Sequence, residues 1–356
     1  MKKINNSTKV IVGLSGGVDS AAAAYLLKKQ GYDVHAVFMK NFAERVGPGH
    51  ECPWREDRLM AYRVATHLGI PVETWNFENE YHAKVLRYMV TEYQRGRTPN
   101  PDIMCNKEIK FKLFTQKAKR SGAQLIATGH YARISKDTRG VYHLHKGKDA
   151  NKDQSYFLAA LDQSQLRSVL FPVGSMTKPR VRALARRLKL PNADRPDSQG
   201  ICFVGKVPMD AFLKRYIEPQ KGDIVDTRGS IVGTHDGVSY YTIGQRRGIN
   251  IGGGPALYVV GKDSKRNRLV VGVHDDLALL RREITVRDWH WLGGSHRFPL
   301  ACTAKIRYRQ ANQRVTLRKT GKTIMASFAV SQRAVSAGQT LAAYRGSELV
   351  GSGIID

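Results

Sequence analysis

The sequence predicts an α/β protein, with a doubly wound parallel-sheet domain followed by a small β-rich domain and a C-terminal β-barrel. Three observations carry this. Apolar, β-branched runs alternate with helical stretches through the first half of the 356 residues. The run Val10-Ile11-Val12 leads into Gly13-Leu14-Ser15-Gly16-Gly17-Val18-Asp19-Ser20, which reads as a buried strand, a tight glycine turn and a helix start. From about residue 218 the texture changes to short β-branched runs separated by Gly, Asp and Asn.

In chain order, the first helix covers Ala21 to Gln30 and stops at Gly31, and a second strand covers Val34 to Met39. Strand, helix and strand imply a parallel pair with a right-handed crossover. A helix from Arg55 to Leu68 ends at Gly69, with Pro71 just beyond, and Val72 to Trp75 is a short strand. An amphipathic helix over Glu80 to Tyr93, a loop over Arg95 to Asp102, a helix over Phe111 to Arg120 and a strand over Leu125 to Thr128 follow. In such sheets ligands sit at the carboxyl ends of the strands, where the glycine turn, Met39 and Gly129-His130 all fall. Later strand-like runs include Asp223 to Val225, Ile231 to Thr234, Tyr240 to Ile243, Tyr258 to Val260 and Leu269 to Val273. A further series begins at Glu283 and closes at Leu349 to Gly351. The expected domains are residues 1–217, 218–282 and 283–356.

Composition narrows the function classes. A hydrophobic fraction of 42% and a charged fraction of 25% are those of a globular protein with a sizeable core. No apolar run approaches the ~20 residues of a membrane span, and no secretory signal pattern opens the chain. The four cysteines (Cys52, Cys105, Cys202, Cys302) form no CxxC pair, which disfavours a zinc ribbon or disulfide framework and fits a reducing cytoplasm. His50 beside Cys52 has no second cluster at ligand spacing, so no bound structural metal is expected, and Cys52 and Cys302 read as packing residues. The net charge of +28 points to a polyanion, nucleic acid above all. It is concentrated in Lys178 to Lys189 and Lys305 to Lys322, which contain no acidic residue.

The glycine turn is the strongest chemical signal. Two adjacent glycines let backbone N–H groups close on an anion, and the helix start adds partial positive charge. The Lys of a Walker A loop is absent, so this is not the usual kinase or GTPase cradle. The turn resembles the PP-loop of ATP pyrophosphatases, which cleave ATP between the α and β phosphates. ATP is therefore the expected cofactor, with Mg2+ to neutralise charge and Asp19 placed to help hold it. Cys105 lies in Thr98-Pro99-Asn100-Pro101-Asp102-Ile103-Met104-Cys105-Asn106. Asn106 is positioned to cap the following helix, which with Lys107 would favour the Cys105 thiolate, and Asp102 could exchange a proton nearby. Cys202 lies in a second loop motif, Asp197-Ser198-Gln199-Gly200-Ile201-Cys202-Phe203.

Together with Ala127 to Arg133 (ATGHYAR), Lys152 to Leu158 (KDQSYFL) and Tyr241 to Gly248 (YTIGQRRG), these motifs resemble the bacterial tRNA-specific 2-thiouridylase family along nearly the whole chain. The resemblance implies ATP-dependent replacement of the 2-oxo group of a wobble uridine by sulfur, in tRNAs for Lys, Glu and Gln. It also implies a partner protein that donates a persulfide. Gly13 to Ser20, Met39 and Gly129 would hold ATP. Asn100, Pro101 and Asp102 would approach the target base. Cys202 would carry the persulfide and Cys105 would be the partner nucleophile. His130, Lys152, Asp153, Gln154, Arg307, Tyr308 and Gln339 resemble positions that touch tRNA. Tyr131 could stack the base, although a buried structural role fits it better. Two other readings are a PP-loop synthetase or amidotransferase acting on a small metabolite, and a basic tRNA-binding protein with a vestigial nucleotide site. The former predicts activity without RNA, the latter binding without ATP turnover.

Overall fold

The computed structural model describes residues 8–44, 54–197, 208–252 and 254–356. The strands β1 (Lys9–Gly13), β2 (Asp33–Lys40), β3 (Val72–Asn76), β4 (Leu125–Ala127) and β7 (Val169–Leu170) form a sheet in the order β3-β2-β1-β4-β7. Every pairing in it is parallel. Because the chain steps outward from β1 through β2 to β3 and then returns to the other side of β1, the switch point lies between β1 and β4. In sheets of this kind ligands bind at the carboxyl edge beside such a point.

Both faces of the sheet are covered, as a parallel sheet requires. Alternating residues of β1 and β2 enter two cores. Ile11, Val37 and Met39 pack with Trp75, Ile109, Phe111 and Phe114, whereas Val10, Val12, Ala36 and Phe38 pack with the alanine run Ala21 to Ala24 and with Val64 and Val181. The alanines of the helix Val18–Lys29 let it lie close against the strands.

The helix bearing Cys105 begins earlier than the sequence suggested. It runs over residues 101–120, with a π-helical stretch at Asn106–Leu113. Asn100 is its N-cap, accepting a hydrogen bond from the Ile103 N–H at 3.2 Å, and Pro101 takes the first turn, where its missing N–H costs nothing. Asn106 caps nothing, being inside the helix. Tyr240 to Ile243 also differs from expectation: Val238–Tyr240 is a 3-10 turn between the positive-φ glycines Gly237 and Gly244.

β8 (Gly222–Asp226), β9 (Ile231–His235), β10 (Tyr258–Asp263) and β11 (Arg268–Gly272) form a second sheet in the order β10-β11-β8-β9. The C-terminal strands are β12 (Leu280–Trp291), β13 (Leu300–Lys305), β14 (Gln313–Thr320), β15 (Thr323–Arg333), β16 (Thr340–Arg345) and β17 (Glu348–Ile355). β12 pairs with both β15 and β17, closing six antiparallel strands into a barrel. A hairpin from the first half, β5 (Ala132–Lys136) and β6 (Tyr142–Lys146), extends this sheet by pairing with β17. No described helix is long and apolar enough to cross a membrane.

Candidate functional site

The turn after β1 is held from several sides. Gly16 has φ +79°, and a Cβ there would lie 2.6 Å from the Asp57 carbonyl oxygen, so only glycine fits. Its own carbonyl accepts from Asn192 Nδ2 at 2.9 Å and from Arg195 Nη1 at 3.4 Å. Arg195 is anchored in turn by Asp57 at 2.5 Å. Burial raises the Asp57 carboxyl above its ordinary value, against the pull of Arg195. Ser20 Oγ accepts from the Ser15 N–H at 3.2 Å and donates to the Gly17 carbonyl at 2.9 Å. Gly17, the N-cap of the helix, provides no side-chain cap, an arrangement that suits an external anion. Leu14 and Val18 are buried beneath it.

Met39 and Gly129 both converge on this turn. A Cβ on Gly13 would fall 2.9 Å from Met39 Cε, and a Cβ on Gly129 would fall 2.6 Å from the Asp19 backbone. The expected nucleotide residues Gly13 to Ser20, Met39 and Gly129 therefore form one patch at the switch point.

A buried lysine organises the rest. Lys178 Nζ lies 2.7 Å from each carboxylate oxygen of Asp19 and 2.8 Å from Asp197, and Lys178 is only 7% exposed. The Tyr131 hydroxyl donates to Asp19 at 2.7 Å, and burial followed by the nearby Asp19 charge pushes its pKa up. Tyr131 thus supports Asp19 rather than offering a face to a base. Asp197 also takes Lys152 at 2.5 Å and Arg182 at 2.7 Å. Burial opposes ionisation of Asp197, but the bonds from Lys152 and Lys178 outweigh it and hold the pKa at about 2. The basic stretch from Lys178 is therefore partly consumed internally: Lys178, Arg182 and Arg186 are paired with acids, while Arg180, Arg187 and Lys189 face outward. With both Asp19 oxygens bonded to an ammonium, the carboxylate does not fit a resident magnesium ligand. No group of three metal-ligating side chains occurs among the described residues.

Cys105 is fully buried, in the second turn of its helix and in the core that includes Ile103, Ile109, Tyr156 and Leu158. Activation by an adjacent helix start is accordingly corrected: the field of a helix terminus fades within the first turn. Asn106 Nδ2 donates to the Phe157 carbonyl at 2.9 Å, which docks the KDQSYFL segment against this helix. Asn100, Pro101 and Asp102 are half-buried at the helix start. Cys202, with the rest of its motif after Asp197, lies outside the described residues, as do His50 and Cys52. Cys302 is half-buried in β13, where burial pushes its thiol pKa up to about 12.

The residues expected to face tRNA separate into two groups. Asp153 is buried and spent locally, accepting from Gly147 N–H at 3.0 Å, Ser155 N–H at 3.1 Å and Ser155 Oγ at 3.0 Å. Gln154 accepts from the Tyr131 N–H at 3.0 Å. His130 Nδ1 is 2.7 Å from Thr128 Oγ1, and its ring lies between Phe111 and Phe171 at 5.6 and 5.9 Å. Burial, then Lys110, lowers the His130 pKa well below its ordinary value. Arg307 is exposed on the barrel, although its guanidinium donates to the Ala334 carbonyl. Tyr308 is half-buried against Phe157, with ring centroids 4.3 Å apart. Gln339 Nε2 donates to the Thr98 carbonyl at 2.8 Å and the Pro99 carbonyl at 3.3 Å. Thr98 N–H donates to the Ala337 carbonyl at 2.7 Å, so the barrel grips the loop that leads into Asn100. Sequence reasoning missed Lys178 and this clamp, because the partners are 159 and 241 positions apart.

The glycine turn at the switch point of a parallel sheet, with two β-rich units appended, defines a PP-loop protein. Residues 8–206 match the family model described as tRNA methyl transferase HUP domain, 210–273 its PRC-barrel domain, and 281–355 an aminomethyltransferase beta-barrel domain. A protein of Streptococcus mutans is 46% identical over 361 residues, covering 99% of this chain and 96% of that one. One from Bacillus velezensis is 46% identical over 366 residues, covering 100% and 97%. Both bear the name tRNA-specific 2-thiouridylase MnmA. The chain belongs to the tRNA-specific 2-thiouridylase family.

Proposed function

We propose that this protein is an ATP-dependent tRNA-uridine 2-sulfurtransferase. The observation that carries the reading is Lys178, which ties Asp197, the residue opening the Cys202 motif, to Asp19 in the first turn of the glycine-turn helix. Cys202 follows Asp197 by five positions in the sequence. The Cys105 helix ends beside the start of β1, where Lys9 Nζ donates to the Ser121 carbonyl at 3.1 Å, which favours its first turns lying towards the carboxyl edge of the sheet. The glycine turn, the start of the Cys105 helix and Asp197, from which the Cys202 motif departs, support a shared site. The family model's description speaks of methyl transfer, but that chemistry leaves a pyrophosphate turn and two cysteine motifs without a use.

In this reading the uridine O2 attacks the α-phosphorus of ATP, and pyrophosphate departs along the first-turn N–H groups. The terminal sulfur of a Cys202 persulfide, supplied by a donor protein, bonds to C2, and the C2–O bond breaks to release AMP. Cys105 thiolate then attacks the Cys202 sulfur and cleaves the S–S bond. This leaves 2-thiouridine and a Cys105–Cys202 disulfide, which an external thiol reduces before the next turnover. Asn100, Pro101 and Asp102 line the approach of the base, and the target must leave its stack to enter. Magnesium would arrive with the phosphates, since Asp19 is committed to Lys178. Because Cys105 is enclosed in the described conformation, tRNA binding must expose it. Arg307 and Tyr308 form the side on which tRNA docks, while Gln339, His130 and the Lys152–Gln154 stretch support that side from within, in a cytoplasmic enzyme.

Nucleoside mass spectrometry of tRNA incubated with the protein, ATP and a persulfide source tests this. The expected result is 2-thiouridine with AMP and pyrophosphate, abolished by Cys105→Ala and by Cys202→Ala while tRNA binding persists. Normal thiolation by either variant would overturn the mechanism.

A further inference from the structure

Asn41 follows β2 directly, two residues beyond Met39, at the carboxyl edge of the sheet. It is 1% exposed, and neither its Nδ2 nor its Oδ1 has a hydrogen-bond partner. Two other asparagines near the site, Asn106 and Asn192, each leave one atom unpaired but engage the other, on Phe157 and Gly16 respectively. Asn41 is the described asparagine with both amide atoms buried and idle. A buried amide in that state is costly and asks for a reason.

Its setting supplies one. Met39 is buried, with its methyl against the glycine turn, and Phe42 packs among Tyr81, His82 and Phe212 at 5.9 to 6.3 Å. The neighbouring cation, Lys40, is committed to Glu78 at 2.6 Å. A planar carboxamide with Phe42 on one side in the chain and Lys40, already paired with Glu78, on the other suits a flat, uncharged ligand better than a phosphate. It offers one donor and one acceptor side by side, the pattern that pairs with a nucleobase edge.

We propose that Asn41 is the site's nucleobase-reading side chain, pairing in bidentate fashion with a base that presents a donor and an acceptor together. The inference rests on the thiolase reading, which brings two such bases to this edge: the adenine of ATP and the target uracil. Both present that edge, and the experiment separates them.

Asn41→Leu keeps the branching at Cγ and the number of heavy atoms and removes the idle polar atoms. The expected result is a melting temperature equal to or above wild type, with kcat/KM for thiolation down about ten- to a hundredfold. If adenine is the partner, equilibrium binding of ATP without tRNA weakens by a similar factor. If uracil is the partner, ATP binding is unchanged and the single-turnover rate at saturating ATP and tRNA falls instead. Asn41→Ala, which removes both amide atoms with a smaller side chain, should repeat the pattern and serves where the leucine variant does not fold. Wild-type ATP binding and thiolation in either folded variant would overturn the proposal, as would losses that merely track a lowered melting temperature. Absence of 2-thiouridine with the wild-type protein would instead sink the thiolase reading, and the ATP-binding arm would still decide the role of Asn41.

Discussion

Lys178 Nζ sits 2.7 Å from both carboxylate oxygens of Asp19 although the two residues are 159 positions apart. The pair joins the N-terminus of the helix Lys178–Arg187 to the first turn of the helix Val18–Lys29, and Asp197 lies 2.8 Å from the same ammonium. The glycine-turn helix and Asp197 thereby share one cation.

Removing that cation should be expensive. Lys178→Met leaves Asp19 and Asp197 without their common partner, and a destabilisation of about 1–3 kcal/mol is expected, partial exposure of the acids keeping it below the fully buried case. Pyrophosphate release from ATP in the presence of tRNA should fall at least about a hundredfold, as for loss of a preorganised electrostatic group. Denaturant titration and a pyrophosphate assay report the two effects separately.

The barrel's grip on the loop before Asn100 predicts a different signature. Gln339→Ala removes the bonds to Thr98 and Pro99 but leaves the backbone bond from Thr98 to Ala337. Stability should change by about 1 kcal/mol or less. The thiolation rate at saturating tRNA should drop about tenfold, because misplacing a reacting group by even a fraction of an ångström is costly. A loss confined to tRNA affinity would show that Gln339 acts on the tRNA instead.

Burial of Cys105 makes its accessibility a readout of tRNA engagement. In a Cys202→Ala background, alkylation at Cys105 should be slow for the free protein and at least about tenfold faster with tRNA and ATP present. Peptide mass spectrometry assigns the modified site. Equal rates in both states would remove the requirement for opening.

The hairpin β5–β6 carries a pH signal where it meets the barrel. His143 Nδ1 is 2.7 Å from Glu348 and its Nε2 is 3.5 Å from Asp137. The bond to Glu348 raises the His143 pKa above its ordinary 6.5, outweighing burial. The folded protein therefore holds this proton more tightly than the unfolded chain does. Its stabilisation is full below about pH 6.5 and disappears as the pH rises through the raised value. The melting temperature of wild type minus that of His143→Gln should be positive near pH 5.5 and shrink towards zero by pH 9. A difference that grows with pH would refute the pairing.

Much of the nucleotide half was legible because its signals are local. The alternation of β-branched runs with helices, the glycine pair before Val18, and the stops at Gly31 and Gly69 all act within a few residues. The same locality explains the misreadings. Asn106 resembles a cap beside Cys105, but Asn100-Pro101 starts the helix six residues sooner, and only the continuous backbone reveals this. Tyr240 to Ile243 has strand-like residues, yet positive-φ glycines at 237 and 244 turn the chain instead.

The sequence by itself determined the parallel sheet with its anion-binding turn, the change to β structure after about residue 218, and the cysteine motifs that mark the family. Those features depend on periodicity and on short-range steric rules, which a linear string carries directly. Only the tertiary structure decided that Lys178 is buried between Asp19 and Asp197, that β6 joins β17, and that Gln339 holds Thr98. Each of these joins elements with no periodic signal relating them, and each arises because charges and polar groups removed from water must find partners wherever packing brings the chain.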